Sequence, residues 1–190
     1  MSEVPSHGLQ LWVNLPRANK MMPPRYQEKK WSEIPHAATA KGVDVAVLSG
    51  TSYNVSSPVN TMVPIDYLFV KLDPHAVFEQ PCDPAWNALI YTLNGGVLLD
   101  DGQRTVGPHH TVTFAPAQGS SAVRVQAGDD PVHFCYLAGR RINEPVAQGG
   151  PFVMNTQAEL QQAFADYHAS RNGFEGAAEW ESAIGNKVLN

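Results

Sequence analysis

The sequence predicts a mostly β protein closed by C-terminal helices, and three observations carry that expectation. Short β-branched and aromatic segments follow one another between turn signals. The pattern changes from strand period to helical period after Pro151. The chain has 190 residues, of which 43% are hydrophobic and 16% charged, enough to bury one ordinary core without disulfides or metals.

The elements are expected in this order. Leu9, Leu11, Val13 and Leu15 alternate with Gln10, Trp12 and Asn14, so Gly8–Leu15 reads as a strand with one apolar face. Pro16, Pro23, Pro24 and Pro35 then punctuate a stretch carrying Arg17, Lys20, Arg25, Lys29 and Lys30. Proline removes ladder donors and fixes φ, so this stretch is expected to be an extended connector. Strand candidates follow at Val43–Ser49, Tyr67–Leu72, Val77–Glu79, Asn87–Leu93, Val97–Leu99, Thr111–Phe114, Ala122–Gln126 and Val132–Leu137. Asn94-Gly95-Gly96, Asp101-Gly102 and Gly128-Asp129-Asp130-Pro131 separate them as turns, the first as a hairpin. Such spacing reads as an antiparallel sandwich or small barrel.

After Pro151, Thr156 and Glu159 form a capping box. Leu160, Ala163, Phe164 and Tyr167 recur at helical spacing, and Asn172-Gly173 supplies a stop. A second short helix is expected over Ala177 to Ile184, with Trp180 and Ile184 one turn apart.

Several function classes are disfavoured. The net charge of −5 argues against a phosphate-gripping surface, so no direct nucleic-acid contact is expected. The basic residues of the connector read as a solvated linker. Cys82 and Cys135 are the two cysteines, too few for a disulfide framework or a CxxC zinc site. The opening residues lack a basic segment followed by an apolar one, and no apolar run approaches a membrane span. A reducing, cytoplasmic home without membrane contact is the expectation.

Two segments go beyond generic β. One is His7-Gly8-Leu9-Gln10-Leu11-Trp12-Val13-Asn14-Leu15-Pro16. The other is Asn143-Glu144-Pro145-Val146, with Gly150-Pro151-Phe152-Val153-Met154-Asn155-Thr156 and then Asn172-Gly173-Phe174-Glu175. Together with Pro108-His109-His110-Thr111 they resemble the signature stretches of the pirin family, in order, from about His7 to Asn186. The resemblance implies a two-domain cupin-superfamily protein. Its N-terminal barrel would hold iron through three histidines and a glutamate. Relatives are associated with quercetin 2,3-dioxygenase activity, and some act as redox-dependent regulators through protein partners.

The family's HxH ligand pair lies well upstream of the His7–Pro16 segment, and its His-x-Glu step lies shortly before it. This chain starts six residues before that segment. Glu3 stands either in the place of the ligand glutamate, with Met1 where the histidine would be, or in an unrelated start. The expectation is therefore a pirin-like chain lacking most of its N-terminal cupin domain. Residues 1–15 would be a remnant strand, 16–40 the connector, 41–150 a metal-free cupin-type jelly-roll barrel, and 151–190 a helical segment packing on the barrels.

The histidines support this picture. None of His7, His36, His75, His109, His110, His133 and His168 forms an HxH pair. A metal-binding cupin would show HxH and then Glu before Tyr91-Thr92-Leu93-Asn94-Gly95-Gly96. This chain has His75-Ala76-Val77, then Glu79, Trp86 and Asn87. The later cupin histidine is missing from Ala117-Gln118-Gly119-Ser120-Ser121. His109 and His110 read as turn residues at a strand entrance. His133, alternating with Cys135, reads as a hydrogen-bonded residue facing the barrel interior. Cys82, between Pro81 and Asp83, reads as a loop cysteine with nothing to mark it as a nucleophile.

No catalytic or cofactor-binding residue is assigned, and Glu3 is the one metal-ligand candidate. No cofactor is expected in this chain, although full-length relatives hold iron. The predicted function is binding or regulation through a protein partner. The alternative is quercetin 2,3-dioxygenase activity with the missing ligands supplied by another chain or a longer N-terminus. A fragment left by gene decay or a misplaced start codon is the third reading. Gly8–Leu15 would leave four apolar side chains in need of cover, each worth about 1.5–3 kcal/mol when buried. It would pair with a second copy in a homodimer, fold back on the barrel, or stay disordered.

Overall fold

The computed structural model describes residues 8–39, 41–114 and 121–182. The chain divides into two compact units. One is Pro23–Ile142; the other joins Met1–Met22 to Asn143–Asn190. The units meet at 22/23 and 142/143. Among the described residues no helix is long and apolar enough to cross a membrane.

The strands of the first unit are β1 (His36–Thr39), β2 (Val43–Ser49), β3 (Thr51–Ser52), β4 (Val55–Ser56), β5 (Ile65–Leu72), β6 (Val77–Pro81) and β7 (Trp86–Asn94). They continue with β8 (Val97–Leu99), β9 (Arg104–Val106), β10 (Thr111–Phe114), β11 (Ala122–Ala127) and β12 (Val132–Arg140). A six-stranded sheet runs β1-β2-β5-β12-β7-β10 and a four-stranded sheet runs β6-β11-β8-β9. Pairing is antiparallel throughout, which sets one face of each sheet inward.

The inward faces carry the core. Val45 and Val47 from β2, Leu68 and Val70 from β5, and Phe134 and Tyr136 from β12 are wholly buried, facing Phe78, Val97 and Val125 of the other sheet. The Phe78 ring lies edge-on to Phe134 at 5.5 Å and tilted against Tyr136 at 5.8 Å, geometries that aromatic quadrupoles favour.

Every strand expected between Val43 and Leu137 is present, most extended by one to three residues at an end. Strands β1, β3, β4 and β9 were not expected, because they are too short for period-two alternation to stand out. The proline-rich stretch is also less plain than expected. It contains α1 (Arg17–Lys20), a 3₁₀ turn at Trp31–Glu33 and then β1. Asn94-Gly95-Gly96 is a turn but not a hairpin, for β7 and β8 belong to different sheets. Gly95 has φ +71°, and a Cβ there would sit 2.5 Å from the Pro131 carbonyl oxygen of the neighbouring crossing.

Gly8–Leu15 is not a strand. Alternation marks a face, but a strand exists only where a neighbour completes the ladder, and within the described residues none does. Leu9, Leu11, Trp12 and Val13 stay 46%, 40%, 64% and 42% exposed.

The second unit adds β13 (Ala147–Gly149), its hairpin partner β14 (Phe152–Met154) and α2 (Gln157–His168). The capping box forms as read. The Glu159 N–H donates to Thr156 Oγ1 at 3.2 Å, and the Thr156 N–H donates to Glu159 Oε2 at 2.9 Å. Phe152 meets Phe164 at 5.1 Å and Phe174 at 5.8 Å, tying hairpin, helix and following loop together. The signature residues are structural here. Glu144 accepts from the Arg17 N–H at 2.8 Å and from Asn155 Nδ2 at 2.9 Å, while Arg17 also reaches Glu159 at 2.6 Å. The helix stops at His168, before Asn172-Gly173, because the Arg171 N–H and side chain both turn back to Asp166. The second helix is absent from the described part of its range. Ala177–Glu179 are turn and Trp180–Ser182 are irregular, while Ile184 lies outside the described residues.

Candidate ligand site at the barrel mouth

Among the described residues the barrel interior is apolar apart from Thr92, whose hydroxyl donates to the Gly107 carbonyl at 2.7 Å, and one polar end. On β5 the inward residues are Asp66, Leu68, Val70 and Leu72; on β6 they are Phe78 and Gln80. Strand parity therefore delivers a carboxyl and an amide to the same end of the barrel. Ser52 Oγ donates to Gln80 Oε1 at 2.8 Å, and Gln80 Nε2 donates to the Thr51 carbonyl at 2.8 Å. The Thr51 N–H donates to Asp66 Oδ1 at 3.2 Å. Gly50, at φ +82°, makes this possible, since a Cβ there would collide with Asp66 Oδ1. Burial raises the pKa of Asp66, against the opposing hydrogen bonds from Thr51 and Gln80.

Tyr136 stands next to this group. Its ring is in the core, and among the described residues the one partner of its buried hydroxyl is the Cys82 thiol. The hydroxyl faces the Cys82 thiol and the Asp66 carboxyl, and burial, reinforced by these neighbours, pushes the phenol far above its usual range. A thiol is a weak acceptor, so Cys82 leaves the phenol largely unsatisfied.

Past Cys82 the mouth opens into a cavity of about 460 Å³, lined by the apolar Trp86, Leu99 and Phe114 and by the charged Asp83, Asp101, Arg104 and Arg124. Arg124 is held by Asp101 at 2.7 Å. A second cavity of about 390 Å³ shares Cys82, Asp83, Pro84 and Trp86 and adds Asp66, Pro81 and Ser121.

The described histidines lie elsewhere. His36 is on β1 beside Asp44 at 3.1 Å, and its ring meets Trp31 at 5.4 Å. His75 is a positive-φ turn residue 3.7 Å from Asp129. His109, with φ +63°, is a turn residue, and His110 follows it as irregular chain before β10. His168 ends α2. His133 and Cys135 do not face the interior as expected. The core residues of β12 are Val132, Phe134, Tyr136 and Ala138, so the odd positions lie on the outer face, where His133 meets Phe69 at 6.1 Å. Burial pushes the Cys135 thiol up to about 11, so it is not a thiolate nucleophile.

His7 and Glu3, the one metal-ligand candidate, lie outside the described residues. Among the described residues no three His, Cys, Asp or Glu side chains converge on a point. The barrel presents Leu68, Phe78, Ile90 and Phe134 inward where an iron centre needs imidazoles, so its described donors do not fit iron, a metal that the resemblance places in the N-terminal barrel and not in this one. Sequence reading missed Asp66 and Tyr136. The signal was present for Asp66, a lone carboxylate at the inward parity of an otherwise apolar strand.

Two antiparallel sheets closed around an apolar interior with one polar, open end define a cupin-type barrel. Quercetin 2,3-dioxygenase from Acinetobacter baumannii has this fold, with a TM-score of 0.78 at 27% identity, covering 86% of this chain and 56% of that one. The profile of the Pirin C-terminal cupin domain matches residues 67–173. Pirin from Mus musculus is 47% identical over 188 residues, covering 97% of this chain, and pirin-like protein 2 from Arabidopsis thaliana is 41% identical over 189 residues, covering 95%. The chain belongs to the pirin family. It spans 63% of the length of the mouse protein and 59% of the Arabidopsis one.

Proposed function

We propose that this chain is a cytoplasmic binding and regulatory protein that acts through protein contact, without metal-dependent catalysis of its own. One observation supports this reading above the others: the described histidines sit on turns, on the outer sheet face and at a helix end, away from the barrel interior. The partner proposed for Gly8–Leu15 is a second copy of the chain, because Leu9, Leu11, Trp12 and Val13 stand exposed on a segment that pairs with no strand among the described residues. Elemental analysis and a quercetin assay on freshly purified protein test the first part. The expected result is no stoichiometric iron and no turnover; one iron per chain with turnover overturns it. Light scattering tests the second, and a monomer at micromolar concentration removes it.

A second reading is favoured by the likeness to the Acinetobacter baumannii dioxygenase. In it the chain supports iron-dependent quercetin 2,3-dioxygenase activity, with the missing ligands coming from another chain or a longer N-terminus. Glu3→Ala in the assembled complex discriminates, since loss of iron would support this reading.

A further inference from the structure

Strand β6 is an edge of the four-stranded sheet, and among the described residues β11 is its one ladder partner. Its free side is met by the β3–β4 hairpin. The Glu79 N–H donates to the Tyr53 hydroxyl at 3.2 Å, and the Tyr53 ring lies edge-on to Phe78 at 6.3 Å. That hairpin belongs to neither main sheet and has two residue pairs, Thr51 with Ser56 and Ser52 with Val55. A ladder so short does not hold by itself in water. Side-chain contacts with the barrel hold it instead. Ser52, 2% exposed, donates to Gln80, 3% exposed, and Gln80 donates in turn to the Thr51 carbonyl. The Thr51 N–H donates to Asp66. The base is fixed differently, by the Ser57 N–H on the Gly50 carbonyl at 3.0 Å and the Ser57 hydroxyl on the Leu48 carbonyl at 2.8 Å. At the tip Tyr53 has φ +45° and Asn54 φ +63°. Tyrosine seldom adopts that left-handed conformation, so its ring and hydroxyl contacts must hold it there.

We propose that the β3–β4 hairpin is a lid over the edge of β6, opening as a unit about Gly50 and Ser57 while the barrel stays folded, with the Ser52–Gln80–Thr51 bonds as its latch. Segments held by few contacts open at lower free energy than the core they lie on. An open strand edge is where another extended chain adds, so a cover on β6 controls the use of that edge. Closed, the lid engages the Glu79 N–H with the Tyr53 hydroxyl; open, it returns that donor to solvent. The lid is also joined to the smaller cavity at the barrel mouth. Asp66 lines that cavity and accepts from the Thr51 N–H, so the state of this carboxyl and the position of the lid bear on each other. No described histidine takes part, and the lid stands apart from both readings of the iron site.

Amide hydrogen exchange on the full, isotope-labelled chain, followed by NMR, tests the lid. The Thr51 and Glu79 N–H groups report the lid and the Ser57 N–H its base. The Ala127 N–H, bonded to the Ala76 carbonyl at 2.9 Å, reports the barrel. In the native protein Thr51 and Glu79 are expected to share one level of protection, well below those of Ser57 and Ala127. Gln80→Leu removes two latch bonds and is expected to lower the protection of both lid amides by about tenfold or more, with Ala127 affected less. Ser52→Ala removes one bond and is expected to lower it several-fold. Lid amides as well protected as Ala127 in the native protein would mean that the hairpin opens only with the barrel, and would overturn the proposal. A Ser57 N–H no better protected than Thr51 does the same, for the base is then no hinge. So does unchanged protection of Thr51 and Glu79 in Gln80→Leu or, if that variant does not fold, in Ser52→Ala.

Discussion

Gly8–Leu15 and β12 are written in the same alternation of apolar and other residues, yet they end in opposite states. Strand β12 lies between β5 and β7, with a ladder on each side, and puts Val132, Phe134, Tyr136 and Ala138 into the core. Among the described residues Gly8–Leu15 pairs with no strand, and Leu9, Leu11, Trp12 and Val13 stay exposed. The difference teaches that period-two patterning states which face wants burial and says nothing about whether a neighbour will supply it.

Substitutions sharpen that contrast. Phe134→Ala removes a fully buried ring stacked edge-on to Phe78 and is expected to cost about 3–5 kcal/mol of stability in chemical denaturation. Leu11→Ala, at an equivalent point of the pattern, is expected to stay within about 0.5 kcal/mol in the monomer; a core-sized loss would show that the segment is buried after all. Gly95→Ala breaks the comparison from the backbone side. Its positive φ and the nearby Pro131 carbonyl predict a loss of about 1–3 kcal/mol, and full stability would show that the crossing between sheets can relax.

The second unit gives smaller effects. Thr156→Ala removes half of the capping box and is expected to cost about 1 kcal/mol, read as earlier loss of helical signal on heating. The smallest effect is on pH. Hydrogen bonds from Asn172 and then Arg171 hold the Asp166 carboxyl below its ordinary range. A carboxyl depressed in the folded state stabilises above its unfolded pKa, and that contribution is lost as pH falls through the folded value. The acid limb of unfolding is therefore expected to be shallower in Asp166→Asn, and an identical limb would assign the hydrogen bonds no energetic role.

Much of the molecule was legible in the chain. The strands from Val43 to Leu137 showed themselves through β-branched runs between turns, and Thr156–Glu159 marked the start of α2 through capping chemistry that is local by nature. The short strands β1, β3, β4 and β9 were not legible, because two to four residues cannot establish a period. The parity of His133 and Cys135 was misread for another reason. Alternation along β12 is ambiguous when Cys135, on the outer face, is itself buried and covered by its own surroundings.

Local chemistry in the sequence thus determined the family motifs, the strand series, the helix start and the scarcity of imidazoles at metal-ligand spacing. Tertiary structure alone decided which parity faces inward, and so brought Asp66, Gln80, Cys82 and Tyr136 to one end of the barrel while leaving Gly8–Leu15 unpaired. Those outcomes depend on hydrogen-bonded registers between strands far apart in the chain, and on room such as that left by Gly50 beside Asp66. Neither exists until the sheets have closed.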